Sequence, residues 1–598
     1  MNSKNTWTWL VIAAGLFAYI FFFERHLRNE QPGPKPVLPG FTAAAVTSVQ
    51  VHPAGQLEIR ADRTNGAWWI SRPASFPGQA ARIEALLKTL ERLVPATYVT
   101  AGELQQRPRA EEEFGFDNPQ SSVVLQRPEQ QTRLRFGRPT APGDQMFLQV
   151  VGREGVYVVH AELLRLLPRS ANDWRDTALV DLRSLAFEHL AITNASGVIE
   201  LQRDPNNAWR LVRPLRARAD SAGIAAWMQQ LQTLRVSRFI SDDPRADLES
   251  FGLNPPAMSL AFRAGTNTLA LLQFGRNPTN DPTQVFARRE GLGSVTTVPA
   301  ETLAPGYAQF SEFRDRRLLS FPPEAAEIEV RGGEGFVLQH GASNSWRVAS
   351  ESFPVDAGLV NEFLMTLARL EVIQFVKDAI TDPDLRAYGL TSPVREIVFK
   401  GAAAPGGTNP PLARLAFGST EGDKVYVRRA DEDSVYAVRL ADFQRLPSAG
   451  WQLRERRLWQ FIEHDVARVT VQQSGKTREL LRHGTNSWAL APGSQGIINE
   501  FAVEEAAHRF GELAATLWTA RGATNRADYG FSTNGLSLTF ELKGGAKHFV
   551  EIGSLAPSQY PYATVTLDGQ PWVFEFPLAL HHFVLSYLAD LVPQAGKP

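Results

Sequence analysis

The sequence contains no cysteine among its 598 residues. This absence excludes disulfide frameworks, thiolate zinc sites, cysteine nucleophiles and lipid anchors attached to cysteine. A surplus of charge of either sign is also missing, because 62 Lys and Arg residues face 63 Asp and Glu residues, for a formal net charge of −1. This balance argues against binding of nucleic acid through bulk positive charge, and we expect no nucleic-acid partner.

Recognised catalytic and metal-binding motifs are absent as well. The sequence has no H-E-x-x-H, EF-hand loop, G-x-S-x-G, P-loop or G-x-G-x-x-G. The adjacent pair His581 and His582 does not share one face of a helix, which makes it a poor metal site. Acidic clusters such as Asp242-Asp243 are more typical of solvated loops than of cation sites. We therefore predict no catalytic residue, no cofactor and no metal site.

Only one long hydrophobic run occurs. Residues 6–23 (TWTWLVIAAGLFAYIFFF) carry no charge, and as a helix they would span about 27 Å, close to the thickness of a bilayer core. We interpret the run as one uncleaved transmembrane anchor; a cleaved signal peptide and a buried core helix are the alternatives. Residues 1–5 are then a short cytoplasmic tail. Residues 24–40, which include EQPGPKPVLPG, form a Pro- and Gly-rich linker.

The charges that flank the run do not decide its orientation, since Lys4 and the amino terminus face Arg25 and Arg28. A short tail before one span and a long chain after it is the usual layout of a signal anchor. We therefore expect a single-pass protein of the bacterial cytoplasmic membrane, with most of the chain extracytoplasmic (periplasmic).

Internal repetition is the strongest signal in the sequence. Four tryptophans in Asn-containing segments recur at spacings of about 140 residues, and each is followed by an aromatic-Gly-apolar triplet and then by a second apolar-Gly pair. The markers of these repeats are Trp68, Trp209, Trp346 and Trp488, followed by Gly115, Gly252, Gly389 and Gly530. The sequence therefore predicts four tandem units, at residues 41–182, 183–322, 323–463 and 464–598.

Each unit has the same coarse pattern of secondary structure. A short strand such as Ile328–Val330 is followed by a hairpin with an Asn-containing turn, because Asn tolerates positive φ. An amphipathic helix comes next; in the first unit Ile83, Leu86, Leu87, Leu90 and Val94 share its apolar face. Alternating strands and a closing Leu-rich helix complete the unit. We predict an α+β fold, in which each unit is a mainly antiparallel sheet with two helices.

These motifs resemble the bacterial domain-of-unknown-function family numbered 4340. The resemblance covers about residues 41 to 590 and rests on the Trp hairpin followed by proline, the aromatic-Gly loop and the strand that ends in Phe-Gly. It implies a membrane-anchored protein of the bacterial envelope, often associated with components of ABC-type or gliding-motility-type transporters. The fourth unit departs from the pattern, having Asn534 and Ile552 where other units have Pro and Phe.

One charged feature also recurs. An Arg followed by an acid closes each of the first three units, and the fourth unit lacks the Arg. We predict that these pairs hold consecutive units together through the planar guanidinium of Arg; a solvated surface pair is the alternative. The candidate junction residues are Arg175, Asp176, Arg314, Asp315, Arg454 and Glu455.

The leading functional hypothesis is a non-enzymatic scaffold or accessory protein of the bacterial cell envelope that serves an ABC-type transport complex. Its expected partners are the membrane and other envelope or transporter proteins, and the sequence does not indicate an oligomeric state. Two alternatives stay open: an envelope glycan or peptidoglycan hydrolase, which needs two facing carboxylates, and a ligand-binding module with clefts between units.

Overall fold

A computed structural model describes residues 3–24, 35–319, 325–341, 345–402, 409–494, 496–522 and 525–589. The chain divides into two compact units, Met1–Arg314 and Asp315–Pro598. Each unit contains two antiparallel sheets, one per predicted repeat. The expectation of an α+β chain built on four antiparallel sheets is therefore confirmed.

The N-terminal run forms helix α1, Ser3–Tyr19, which continues as a π-helical turn over Ile20–Glu24. The predicted span at residues 6–23 coincides with these two elements. Within the described ranges, no helix combines the length and the apolarity that crossing a bilayer requires.

The first repeat has nine strands and one long helix. Its strands are β1 Ser48–Pro53, β2 Ile59–Thr64, β3 Ala67–Arg72, β4 Phe76–Pro77, β5 Thr97–Val99, β6 Ser121–Gln126, β7 Gln131–Pro139, β8 Gln145–Val150 and β9 Val156–His160. Its helices are α2 Ala80–Glu91, α3 Ala101–Gln105 and α4 Ala110–Phe114, followed by 3₁₀ segments at Ala161–Leu166 and Ala171–Asp173.

The second repeat also has nine strands, and its only described α-helix is α5 Ser221–Thr233. The strands are β10 His189–Asn194, β11 Gly197–Arg203, β12 Trp209–Arg213, β13 Ala217–Arg218, β14 Arg238–Ser241, β15 Met258–Ala264, β16 Asn267–Phe274, β17 Gln284–Arg289 and β18 Val295–Pro299. Short 3₁₀ segments cover Leu182–Ser184, Glu301–Tyr307 and Phe310–Phe313.

The third and fourth repeats have eight strands each. The third contains β19 Ala325–Arg331, β20 Phe336–His340, β21 Trp346–Val348, β22 Gln374–Lys377, β23 Arg395–Gly401, β24 Pro411–Glu421, β25 Lys424–Arg429 and β26 Val435–Arg439, with helices α6 Ala357–Ala368, α7 Asp382–Ala387 and α8 Leu440–Gln444. The fourth contains β27 Val466–Gln473, β28 Lys476–Gly484, β29 Ser487–Leu490, β30 Leu517–Arg521, β31 Leu536–Leu542, β32 Lys547–Leu555, β33 Pro561–Leu567 and β34 Gln570–Glu575, with helices α9 Glu500–Gly511 and α10 Leu578–Val584.

All four sheets share one strand order. In the first repeat the order is β4-β3-β2-β1-β6-β7-β8-β9-β5; the second repeat reproduces it in full, and the third and fourth reproduce it without the counterpart of the edge strand β4. The long helix leads to a short far-edge strand (β5, β14, β22 or β30) that pairs with the last strand of the repeat. The chain then returns to the middle of the sheet, where β6 pairs with β1.

The long helix packs on one face of each sheet, as its apolar periodicity predicts. Ile83, Leu86, Leu87 and Leu90 of α2 are fully buried. Val94 lies beyond the end of the helix and is only half-buried, so the predicted apolar face includes one residue that is not part of the helix. The fully buried side chains of the helix and the strands form one hydrophobic core in each repeat.

The expectation of two helices per repeat is wrong in detail. The closing Leu-rich segment is a 3₁₀ helix in the first two repeats and an α-helix in the last two, and the first and third repeats add short helices before the central strands. In the first repeat the closing segment has six residues and is soon followed by Pro168. All four closing segments are only five to seven residues long, so they gain few hydrogen bonds in either form and neither helix type is strongly favoured.

The hairpin turns follow the predicted chemistry of Asn. Asn65, Asn207 and Asn486 adopt positive φ angles of 50°, 62° and 56° at the turn before the Trp strand. Asn344, the corresponding residue of the third repeat, lies outside the described residues. Each Trp strand pairs antiparallel with the strand before it, and in the first, second and fourth repeats these Asn-containing turns join the two strands.

The marker tryptophans face a basic side chain on the neighbouring strand. Trp68 is paired in register with Arg63, whose guanidinium carbon lies 4.7 Å from the centre of the indole ring. The same cross-strand arrangement recurs in the other three repeats, as Arg203 with Trp209, His340 with Trp346, and Arg482 with Trp488. Trp68, Trp209 and Trp488 are buried and Trp346 is half-buried, which makes the tryptophans part of the core.

The two glycine markers of each repeat meet in space. In the fourth repeat Gly530 has a φ angle of 72°, and a Cβ atom there would lie 2.7 Å from the backbone nitrogen of Ser554. A Cβ atom on Gly553 would lie only 2.1 Å from the carbonyl oxygen of Tyr529. Gly115, Gly252 and Gly389 have the same left-handed conformation. The aromatic-Gly loop therefore rests directly on the backbone of the central sheet, and only glycine permits this approach.

We predict that Gly553→Ala lowers the free energy of unfolding of the fourth repeat by about 2 kcal/mol or more, because the new methyl group overlaps the Tyr529 carbonyl. Gly544→Ala is the matched control, since no heavy atom lies within 4 Å of its Cβ position, and it should change stability by less than about 0.5 kcal/mol. Hydrogen exchange of β31 and β32 measures both effects. Equal protection in the two variants would contradict the close approach.

Candidate functional site

The segment that leaves one repeat is hydrogen-bonded to that repeat and to the next one. In the first unit the N–H of Gln79 donates to the carbonyl of Trp174, and the N–H of Asp176 donates to that of Pro77. One residue further on, the N–H of Val236 in the second repeat donates to the carbonyl of Thr177. The connecting peptide therefore acts as a short strand shared by two repeats.

Arg175 lies at the centre of this first junction and is only 1% exposed. Its guanidinium carbon lies 5.4 Å from the ring centre of Phe76 in the first repeat and 4.6 Å from that of Phe239 in the second. Its Nη2 atom donates to Oδ2 of Asp242 over 2.7 Å. The arginine therefore contacts an aromatic ring of each repeat and an acid of the following repeat.

Asp242 is itself held in place. Its Oδ1 atom accepts a hydrogen bond from the hydroxyl of the buried Ser294 over 2.7 Å. The Nε atom of Arg175 has no hydrogen-bond partner in the described part of the chain. Ring stacking therefore contributes to holding the guanidinium alongside its hydrogen bonds.

The third and fourth repeats are joined in the same way, within the second unit. The guanidinium carbon of Arg454 lies 5.3 Å from the ring centre of Phe353 in the third repeat and 4.6 Å from that of Trp572 in the fourth. Its Nη1 atom donates to Oδ2 of Asp568 over 2.7 Å. The indole N–H of Trp518 donates to the backbone carbonyl of Arg454 over 3.0 Å.

The backbone around Arg454 repeats the first junction. The N–H of Asp356 donates to the carbonyl of Leu453, and the N–H of Glu455 donates to that of Pro354. The N–H of Ala515 in the fourth repeat donates to the carbonyl of Arg456. Two junctions that lie in different units of the chain thus share one backbone pattern and one arginine, which is buried in the first junction and mostly buried in the second.

Arg314, the last residue of the first unit, is also buried, and its backbone pairs with Ala219. The strand β13 carries Ala217 where β4 carries Phe76, as the register of each strand with its neighbour indicates. The second repeat therefore lacks the aromatic ring that the first repeat supplies to its junction arginine.

The predicted acidic partners serve a different purpose from the one expected. Carboxylate oxygens of Asp176 and Asp315 accept the N–H groups of Ala178 and Arg317, two residues further along the chain. The side chain of Glu455 is exposed. These three acids shape the turn or face solvent, while Asp242 and Asp568 pair with the arginines.

Sequence reasoning missed these two acids and the aromatic rings of the junctions. The rings of the preceding repeats could have been found, because a Phe-Pro dipeptide stands before the long helix as Phe76-Pro77 and Phe353-Pro354. The acids occupy non-equivalent positions: Asp242 follows β14, and Asp568 lies in the turn between β33 and β34. Repeat alignment alone therefore gives no signal for them.

A cleft of about 430 Å³ lies between the third and fourth repeats. Its charged side chains each have a partner. Glu334 accepts the indole N–H of Trp451 over 2.9 Å, and Glu351 forms an ion pair with Arg521 of the fourth repeat over 2.7 Å. The ion pair of Glu351 with Arg521 links the two repeats across the cleft, whereas Glu334 and Trp451 both belong to the third repeat.

A network of charges covers the open face of the third sheet, beside a cavity of about 510 Å³. Glu329 forms ion pairs with Arg331 and Lys400, at 2.7 Å and 2.6 Å. Hydrogen bonds from Arg331 and then from Lys400 lower the pKa of Glu329 from its ordinary value of 4.5 to about 2. Glu396 is paired with Arg331 over 3.0 Å.

In the described ranges, no group of three or more His, Asp or Glu side chains is placed to hold a metal ion.

The architecture defines a tandem-repeat α+β protein whose recurrent side chains shape the repeats and join them in pairs. The sequence profile of DUF4340, a domain of unknown function, matches residues 68–208, 209–393 and 346–508. The chain therefore belongs to the DUF4340 family, as the resemblance of its motifs implies. The three matches begin at the markers Trp68, Trp209 and Trp346. No curated protein matches the sequence significantly.

We predict that Arg175→Ala weakens the coupling between the first two repeats by about 3 kcal/mol, because it removes a buried cation from two rings and one acid. Arg175→Lys should restore only part of this loss, since Lys lacks the planar guanidinium. The matched control is Arg183→Ala, whose side chain is 81% exposed. The measurement is hydrogen exchange, which reports the free energy of unfolding of each of the two sheets separately. If the amides of both sheets remained as protected in Arg175→Ala as in the native protein, the prediction would be contradicted.

The third sheet should lose stability in acid. Because the pKa of Glu329 is lower in the folded protein, its carboxylate stabilises the fold above pH 4.5, and this contribution disappears as the pH falls towards 2. We predict that Glu329→Gln makes the stability of β19 and β23 less dependent on pH in this window. Glu362→Gln, on the exposed face of α6, is the control. Hydrogen exchange at several pH values, corrected for the intrinsic rate, tests this; parallel pH profiles for the native protein and Glu329→Gln would refute it.

Proposed function

We propose that this protein is a non-catalytic scaffold of the bacterial cell envelope, held at the cytoplasmic membrane by its apolar N-terminal segment. The observation that carries the proposal is the construction of the junctions. Largely buried arginines, shared backbone hydrogen bonds and aromatic rings against each guanidinium join neighbouring repeats within each unit. Such joints make two repeats behave as one rigid body, which suits a protein that holds other components at a fixed spacing.

The state of the carboxyl groups supports a non-catalytic role over a hydrolase. A glycan hydrolase needs a general acid, whose pKa is raised, next to a second carboxylate. Among the described residues, every carboxyl group with a clear shift has a lowered pKa. The two glutamates of the cleft between the third and fourth repeats are each bound to a partner.

Attachment to a membrane is supported by the surface of the N-terminal segment. Residues 6–23 carry no charge, and large side chains such as Trp7, Phe17 and Phe22 are about 70% exposed. A continuous apolar surface of this kind is stable only against an apolar partner. Extracytoplasmic placement of the repeats and service to an ABC-type transporter are parts of the same proposal.

Membrane attachment is tested by introducing a charge. Leu16→Arg places a cation in the middle of the apolar run, which costs about 3 kcal/mol at the centre of a membrane helix. It should strongly reduce the fraction of the full chain that resists extraction from membranes by alkaline carbonate. Leu57→Arg, at an exposed loop leucine of the first repeat, is the control and should remain in the membrane fraction. Equal extraction of the two variants would contradict membrane attachment by this segment.

The scaffold role is tested by crosslinking the full chain in native membranes and identifying the attached proteins. The proposal predicts one reproducible set of envelope or transporter components, which is lost in Leu16→Arg. Recovery of only the abundant proteins that a membrane protein of unrelated fold also captures would contradict it.

A further inference from the structure

A basic groove of about 720 Å³ opens on the first repeat. One wall is the C-terminal end of α2, and the other is the 3₁₀ segment Ala161–Leu166 that follows β9. Apolar side chains line its interior, namely Leu93, Val94, Leu163 and Leu166. A concave surface with an apolar interior suits the uncharged part of an amphiphilic ligand.

The rim of the groove is cationic. Lys88, Arg92, His160 and Arg165 line it, and all four side chains are exposed. Glu162 is the acidic residue among the lining side chains. Across the described part of the chain these four basic side chains form no ion pair, whereas Arg63 and Arg72 of the same repeat are paired with Glu84 and Glu58. The rim therefore carries three cations, Lys88, Arg92 and Arg165, against one carboxylate, which leaves net positive charge around an apolar floor.

The chain enters the first repeat beside this groove. The N–H of Val37 donates to the carbonyl of Leu93 over 2.8 Å, and Nη1 of Arg153 donates to the carbonyl of Val37 over 3.1 Å. Val37 and Leu38 are buried. Glu24, at the end of the apolar segment, lies only 13 residues before Val37. Even a fully extended chain of this length reaches no more than about 45 Å, which keeps the groove close to whatever surface holds the apolar segment.

We propose that the basic groove binds the phosphate-bearing headgroup of an anionic membrane lipid, with Lys88, Arg92 and Arg165 around the phosphate and the apolar floor against the glycerol and upper acyl region. The inference rests on membrane attachment, as proposed above, and names a second contact with the same membrane. Cations near an anionic bilayer gain electrostatic attraction that falls off within a Debye length, so a site this close to its tether is well placed to use it. The groove would then orient the first repeat against the membrane.

The test uses the absence of cysteine. Thr89→Cys places a unique thiol in the groove of the full chain, where an environment-sensitive fluorophore can be attached. The labelled protein is reconstituted into vesicles of phosphatidylcholine, with or without phosphatidylglycerol, that carry a headgroup quencher. The proposal predicts quenching that is several-fold stronger in the anionic vesicles and that weakens as salt is added. A label at Thr266→Cys, in an exposed turn of the second repeat, should show no such difference.

Charge reversal gives the decisive comparison. Arg92→Glu with Arg165→Glu should abolish the extra quenching in anionic vesicles, while Arg245→Glu, an exposed arginine of the second repeat, should preserve it. The reversed side chains are exposed, so circular dichroism should report an intact fold. Equal quenching in both vesicle types, or extra quenching that survives the reversals, would contradict lipid binding by the groove. Neither result would contradict membrane attachment by the N-terminal segment. Failure of the full chain to enter either vesicle would overturn the proposed attachment and this inference together.

Discussion

The buried guanidinium at the junctions is the contact on which the organisation of each unit depends. The side chain of Arg175 is 1% exposed and that of Arg454 is 12% exposed, and cations so largely removed from water need compensation, which groups of the next repeat contribute. An isolated repeat would leave the same arginine partly exposed and its aromatic neighbours in water. The junction thus converts a sequence of similar domains into pairs that gain stability from each other, as nearest-neighbour coupling does in repeat proteins.

The recurrent residues of each repeat prepare that junction. The Trp hairpin is held by its cross-strand basic residue, and in the first and third repeats it is followed by the Phe-Pro segment to which the connecting peptide is hydrogen-bonded. The two glycine markers bring the aromatic-Gly loop onto the central sheet, so the chain can run from the far-edge strand back to the middle. Small and planar side chains are required here for geometry, which explains why they recur. The repeated residues thus have in common that they fix the backbone conformation and the packing of each repeat.

Much of this architecture could be predicted from the sequence, because period, hairpin turns and helix faces are local properties. The positive φ angles of Asn65 and Gly530 and the buried face of α2 follow from residue types a few positions apart. Strand order could not be predicted: β5 has three residues, and it pairs with β9 nearly sixty residues later. The junction arginines were visible through their spacing, whereas Asp242 and Asp568 occupy different elements and meet them only in the folded chain. Long-range contacts made by non-equivalent residues leave no periodic trace.

The central claim is that the junction arginine makes neighbouring repeats one rigid body. It is tested most directly by measuring the distance between spin labels on Gln56→Cys and Ser196→Cys, two exposed loop positions in the first and second repeats of a chain that has no other cysteine. The account predicts a single narrow distance distribution in solution. A broad distribution in the protein with Arg175 intact would mean that the two repeats move independently, and would contradict it.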